Sequence, residues 1–303
     1  MLNREHLETF ATIVELGSFE RASSALNVTP GAVSQRIKSL EETVAAVLLL
    51  REKPVKATRR GEVLLRHVKA LRALEGSTLH DLAPGGQTLV PIAAAIAVNA
   101  DSLAGWFAPV VGHLLGRGRV ALEVISDDQD FTFQRLSRGE VIGCVSSERV
   151  AIPGFVAEPL GSMVYLCLAS PSFAKRHFPN GLTLPGVLAA PAILFDRKDA
   201  LHDTFLQRVF GFKIQRYICH HIPVPGLLID TIVAAAGYGL VPMPQAKELL
   251  ASGSLVDLAP DHRVHVPLYW HHWQTELPFA NEITALVMER AAQFLVPDLP
   301  ILN

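Results

Sequence analysis

GSFERASSALNVTPGAVSQRIKSLEE, residues 17–42, reads as two short amphipathic helices joined by a tight turn, and that pair decides the amino-terminal fold. Ser18 is placed to cap the first helix, and Glu20 follows in the first turn, where the helix dipole favours negative charge. Phe19, Ala22 and Leu26 make its inward face, and the small Ala22 lets a second helix cross closely. Asn27 and Val28 form the turn. Thr29 caps the next helix and Pro30 takes its first position, where a missing N–H costs nothing. Val33, Ile37, Leu40 and Val44 then recur every three or four residues, which is one apolar stripe at the helical period. Upstream, Leu7, Phe10, Ala11 and Val14 predict a covering helix, so residues 3–45 form a three-helix core.

The second helix leaves Ser34, Gln35 and Lys38 outward, with Arg36 as a further cationic candidate. Gln pairs bidentately with adenine in a major groove, Arg or Lys reaches guanine or phosphate, and Thr29 or Ser34 can donate to a phosphate oxygen. An ordinary solvated helix face has the same pattern. Charge separates the two readings: residues 29–72 hold 10 Lys and Arg against 4 Glu, whereas the whole chain has 27 against 29. Residues 46–60 read as two short strands around a basic turn, the wing of a winged helix. There Arg51, Lys53, Lys56 and Arg59 are candidates to straddle a minor groove and its phosphates, or to form a solvated basic loop.

From residue 58 to about 82 the pattern is helical. Leu64, Val68, Leu71, Leu74, Thr78 and Leu82 make a stripe narrow enough for a two-helix seam or for packing on the helix's own domain. Ala83-Pro84-Gly85-Gly86-Gln87 breaks it like a hinge. Beyond it, apolar runs alternate with helical patterns: strands at 90–98, 120–126 and 141–147, helices at 102–115 and 132–138, later strands at 163–170, 192–195, 239–243 and 267–272, and a terminal helix at 279–295. Such alternation means an α/β sheet with helical crossovers.

The chain has 303 residues, 50% of them hydrophobic and 18% charged, enough for sizeable cores in two or three domains. No run of 18 apolar residues and no apolar amino-terminal stretch occurs, so a cytoplasmic protein without membrane contact is expected. Cys144, Cys167 and Cys219 are widely spaced in apolar sequence and read as reduced, mostly buried thiols. His220-His221 and His271-His272 lack metal-ligand spacing, because neighbours on a strand point to opposite faces. Neither a nucleophile elbow nor a Walker loop or dinucleotide fingerprint appears in its required context. No metal, no cofactor and no catalytic residue are expected.

AVSQRIKSLE at 32–41, LLLRE at 48–52 and the turn at 58–61 resemble the amino-terminal domain of LysR-type transcriptional regulators. AVNADSLAGWFAPVV at 97–111, RLSRGEVIGCVSS at 135–147 and LYWHH at 268–272 resemble the effector domain of the branch that regulates arginine and lysine export, also described as chromosome-initiation inhibitors. The resemblance covers nearly the whole chain. It implies a winged helix-turn-helix domain (1–60), a dimerising linker helix and hinge (61–87), and a two-lobed, periplasmic-binding-protein-like effector domain (88–303). Lobe one would comprise 88–163 and 267–303, and lobe two 164–266. The implied partners are double-stranded promoter DNA, a small effector, a second copy or three, and RNA polymerase. The chain departs from the family at Ala45, where glycine is usual, at Pro54, where arginine is usual, and at Pro30, where glutamine is common. Lys56 is the cation that takes over the role.

Small ligands of such folds sit between lobes, at strand ends and helix starts. Asn99, Ala100, Asp101 and Ser102 occupy such a place, with free amides and the Ser102 hydroxyl open to a carboxylate, although capping alone accounts for Asn99 and Asp101. Asp127, Asp128 and Asp130 follow a strand and could hold an ammonium or guanidinium, or form a solvated loop. Ser146 and Ser147 end the next strand and face the cleft or start a turn. Asp196, with Asp199 and His202, is the candidate from lobe two. PVPGLLID at 223–230 is apolar where the branch carries Ser and Glu, so a more apolar amino acid or another carboxylate competes with a basic amino acid as effector. Two other classes stay open: an effector-blind protein coating A/T-rich or replication-origin DNA, and an α/β enzyme or binding module with a helical extension.

Overall fold

The computed structural model describes residues 2–82, 91–126, 129–274 and 278–297. The amino-terminal unit runs α1 (Arg4–Leu16), α2 (Phe19–Ala25), α3 (Pro30–Val44), β1 (Leu49–Leu50) and β2 (Lys56–Ala57), leading into the long α4 (Arg59–Leu82). The two caps read from the sequence are in place. Ser18 Oγ accepts from the Arg21 amide and Thr29 Oγ1 from the Ala32 amide, while Asn3 Oδ1 serves α1 through Glu5 and His6. Phe10, Ile13, Val33, Ile37 and Leu40 are buried in one cluster with Leu48, Leu49, Leu64, Leu65 and Val68, so the wing and the start of α4 complete the core that the three helices begin. Burying each Leu or Ile here is worth about 2 kcal/mol.

Gly61 is required at the first turn of α4. A Cβ there would sit 2.2 Å from the Leu48 carbonyl oxygen, so only glycine lets the helix cross the wing this closely. Thr58 completes the junction by accepting from the Gly61 amide and donating to the Val47 carbonyl.

The stripe along α4 divides. Its first half, Leu64, Val68 and Leu71, packs into the amino-terminal core, whereas Leu74, Thr78 and Leu82 stay exposed, as does Leu79 beside them. The hinge at 83–87 lies outside the described residues.

The remaining elements are β3 (Ile92–Ala97), α5 (Ala100–Ala104), α6 (Ala108–Gly116), β4 (Val120–Ile125), α7 (Gln129–Ser137), β5 (Gly143–Ser146), β6 (Phe155–Ala169), α8 (Pro171–His177), α9 (Leu184–Ala189), β7 (Ala192–Leu194), α10 (Leu201–Phe210), β8 (Cys219–His221), α11 (Pro225–Val233), β9 (Tyr238–Pro242), α12 (Met243–Ala251), β10 (Val256–Asp257), β11 (Val264–Trp273) and α13 (Pro278–Phe294). Nine strands form one sheet in the order β4-β3-β5-β11-β6-β9-β7-β8, with β10 also on β6. β3 pairs parallel with β4 and β5, and β7 parallel with β8 and β9, which makes two α/β halves. Antiparallel β6 and β11 run between them, paired from Val264↔Tyr165 to Trp273↔Phe155 with a register shift at Leu268/Tyr269.

Two expectations change in detail. The helix expected over 102–115 is two helices, because Gly105 leaves helical geometry and Trp106 and Phe107 are fully buried at the break. β6 begins eight residues before the expected Met163, since Glu158 and Pro159 interrupt the apolar run that marks its second half. Cys144 and Cys167 are buried, whereas Cys219 on β8 is exposed.

Candidate DNA interface and ligand cleft

On the amino-terminal unit, Thr29, Pro30, Ser34, Gln35 and Lys38 are all exposed on α3. Lys38 is held only loosely, 4.0 Å from Glu42, and its side chain is 79% exposed. Arg51, Lys53, Lys56 and Arg59 are exposed on and beside the wing. Leu50↔Lys56 closes the ladder, the Val55 amide donates to the Gly17 carbonyl, and the Arg51 guanidinium lies 5.9 Å from the Phe19 ring centroid. The wing is therefore tied to the start of α2, and its cations stand on the same unit as the free face of α3.

Arg36 requires a correction. It is half-buried, and its guanidinium donates to Glu5 Oε2 at 2.6 Å and to Thr9 Oγ1 at 3.2 Å, which straps α3 onto α1. A residue three positions after Val33 points back across the helix pair, so the arginine serves the core and leaves Gln35 and Lys38 on the free face.

A small cleft of about 30 Å³ opens where the two halves of the sheet meet. Asp101 and Tyr165 line it beside Asp199, Leu201 and His202 at the start of α10, Pro225, Leu228 and Ile229 of α11, and Gln245 of α12. Tyr165 donates its hydroxyl to Asp101 Oδ2 at 2.7 Å, and Gln245 Nε2 donates to the Asp101 carbonyl at 3.2 Å. Among the described residues, none that lines it is Lys or Arg. Burial pushes the Asp101 carboxyl up, the Tyr165 hydroxyl pulls it back, and the Asp199 charge adds to the rise. Asp199 is likewise pushed up by burial, opposed by the Leu201 amide and reinforced by Asp196 and Asp203. His202 is held down to about 4 by burial, and neither ring nitrogen has a hydrogen-bond partner. The cleft thus presents two disfavoured carboxylates and a neutral imidazole, an arrangement that a bound cation would relieve.

The expected effector residues divide. Asp101 lines the cleft. Asn99 and Ser102 do not, although Asn99 Oδ1 and the fully buried Ser102 Oγ lack partners. Asn99 stands at the start of α5 without making a side-chain cap, and Ala100 is half-buried behind it. Asp196 requires a correction: its Oδ1 accepts the Lys198 and Asp199 amides in a turn, and Asp199 lines the cleft in its place. Ser146 is buried with its Oγ accepting the Glu148 amide, so it starts a turn, and Ser147 does not line the cleft. Asp127 and Asp128, and the side chain of Asp130, lie outside the described residues.

Tyr165 and Gln245 escaped the sequence reading. Tyr165 sits inside an apolar strand that reads as core, and its hydroxyl is the only signal of another use. Gln245 follows a strand end at a helix start, the same kind of position that singled out Asp101. Among the described residues no three His, Cys, Asp or Glu side chains gather as metal ligands, and no helix is long and apolar enough to cross a membrane.

Residues 4–62 match the family described as bacterial regulatory helix-turn-helix protein, lysR family, and residues 95–292 match the LysR substrate binding domain. The HTH-type transcriptional regulator ArgP of Aeromonas salmonicida is 38% identical over 285 residues, covering 94% of this chain and 95% of the relative. The crystal structure of ArgP from Mycobacterium tuberculosis superposes with a TM-score of 0.87 at 38% identity, covering 97% of this chain and 98% of the other. Full-length LysG from Corynebacterium glutamicum, with bound effector Arg, superposes at 0.84 and 33% identity, covering 97% and 100%.

Proposed function

Because the chain belongs to the LysR family of bacterial helix-turn-helix regulators, we propose that it senses a basic amino acid in the cleft at Asp101 and Asp199 and thereby adjusts its hold on promoter DNA. One observation carries the choice of effector: two carboxylates share a cleft that no Lys or Arg among the described residues lines, and burial has raised both. An incoming ammonium or guanidinium supplies the missing positive charge, and charge-assisted hydrogen bonds in so dry a place are the strong kind. The arginine bound to the C. glutamicum relative belongs to the same chemical class.

In this reading residues 1–60 grip DNA, 61–87 pair two subunits, and 88–303 sense, with lobe one (88–163 and 267–303) and lobe two (164–266) closing on the ligand. Dimers or tetramers present several reading heads, and closure alters their spacing for RNA polymerase. Gln35, Ser34 and Lys38 contact the major groove, Thr29 reaches a phosphate through its hydroxyl hydrogen, and the wing cations sit over the adjacent backbone.

The apolar wall of Pro225, Leu228 and Ile229 favours a second reading, in which the effector is a more apolar amino acid. Titrating fluorescent DNA from upstream of the target gene with the protein, alone and with L-arginine, L-lysine or L-leucine, separates these. A change in DNA affinity or footprint with arginine or lysine supports the proposal. A response to leucine alone selects the second reading, and binding that ignores all three selects an effector-blind DNA-coating protein.

A further inference from the structure

The linker helix α4 touches the rest of the chain on two faces. One face enters the amino-terminal core through Leu64, Leu65 and Val68. The other, Glu62, Arg66, Lys69, Ala73 and Gly76, follows the helical spacing and meets the sensing domain. Glu62 Oε1 pairs with Arg138 Nε at 3.3 Å, Ala73 packs on the large core, and the Cβ position of Gly76 is 3.9 Å from Ile92 Cγ1.

Arg66 is the centre of this face. Its guanidinium donates to the Ser137 carbonyl, the last residue of α7, where a helix end carries partial negative charge. It also lies 5.8 Å from the Phe155 ring centroid. Gly139, at φ 64°, packs between the Arg66 stem and the Trp273 ring; a Cβ there would stand 3.0 Å from Arg66 Cγ and 3.4 Å from Trp273 Cζ2. Phe155 and Trp273 are paired residues, the first of β6 and the last of β11. Those are the two strands that run through both halves of the sheet. Ten residues along β6, roughly 33 Å at strand rise, Tyr165 holds Asp101 in the cleft.

We propose that Arg66 is the positioning residue through which closure of the cleft is transmitted to the DNA-binding head: it bears at once on the shared end of the two interlobe strands and on the end of α7, and it is part of the helix that carries the head. The inference rests on the reading that the cleft takes a basic amino acid. A twist of β6 against β11 on closure moves Phe155 and Trp273, and the linker helix follows because Arg66 bears on Phe155 directly and on Trp273 through Gly139. The guanidinium is half-buried and partly stripped of water, which favours keeping its bond to the Ser137 carbonyl.

The test uses the full-length protein and compares wild type with Arg66→Gln, Arg66→Lys and Phe155→Leu. Arginine affinity is measured by calorimetry, DNA affinity by anisotropy with and without L-arginine, and folding by melting temperature. Coupling of about 5-fold or more, typical of allosteric proteins, is expected in wild type. Arg66→Gln and Phe155→Leu should each bind arginine and DNA separately within about 2-fold of wild type while the effect of arginine on DNA binding falls below about 2-fold; Arg66→Lys, which still donates to Ser137, should recover part of it. Linkage requires the reverse effect, of DNA on arginine affinity, to shrink equally. Full coupling in Arg66→Gln overturns the proposal whatever Phe155→Leu does, as does loss of arginine binding itself in Arg66→Gln, which would make the residue merely structural. Absence of arginine and lysine binding in wild type removes the sensing reading, and this inference with it.

Discussion

At Asp101 and Asp199 the cost of burial is the signal. Each carboxyl is pushed above the ordinary carboxylate range, so the free protein binds protons there more readily than an unfolded chain does. The sign follows: these groups favour the free fold below their raised values and disfavour it above them. A cationic effector reverses the preference. Arginine affinity should therefore rise with pH through the raised range and level off above it, with proton release on binding that calorimetry in buffers of different ionisation enthalpy detects. Asp101→Asn and Asp199→Asn should each weaken arginine binding by about 10-fold or more, in line with about 1.5–3 kcal/mol for a hydrogen bond to a charged group, and flatten that profile. A pH-independent affinity in wild type would place the cation elsewhere. Ala45 shows a different residue-scale cost. It ends α3 at φ 49° in the left-handed region, where a side chain costs about 1 kcal/mol, which is the physical reason the family prefers glycine there.

At the scale of elements, α3 and the wing divide the recognition of DNA by chemistry. Gln35 stands on the free face of the helix and the wing carries compact positive charge, so the two should fail differently. Gln35→Ala should cost about 1–3 kcal/mol on the preferred operator and relax its base preference. Lys56→Ala should weaken binding to many sequences alike and lower the slope of log affinity against log salt by about 1. Competition anisotropy over a salt series with matched and scrambled duplexes measures both. Equal losses on every duplex for both variants would contradict the division. Arg36 shows why a helix face must be read with its neighbours: three polar residues, Ser34, Gln35 and Arg36, follow Val33, and only the packing of α1 shows that one of them is a strut.

For the whole molecule, α4 is the common member. It packs into the head, bears on the rest of the chain and leaves Leu74, Leu79 and Leu82 exposed, the face proposed to pair two subunits. Leu79→Glu should shift the protein toward monomer in sedimentation experiments, and DNA binding should weaken with it because two heads no longer act as one; an unchanged assembly would move the interface off this face. Local rules already settled the helix pair, its caps, the wing and most strands, since each depends on spacing and turn chemistry within about 15 residues: Ser18, Thr29 and Pro30 do what their types dictate. The family was legible for the same reason. What sequence could not decide was membership of the cleft. Asp101, Tyr165 and Gln245 come from three separate elements and Asp199 from the loop before α10, and the five helices α8–α12 that frame one side carry short or mixed apolar patterns. Asp196 and Asp199 are alike in type and three residues apart, yet one closes a turn and the other lines the cleft. That difference arises from how β7 meets α10 against the opposite half of the sheet, and such a meeting exists only once the long-range pairing of β6 with β11 has formed.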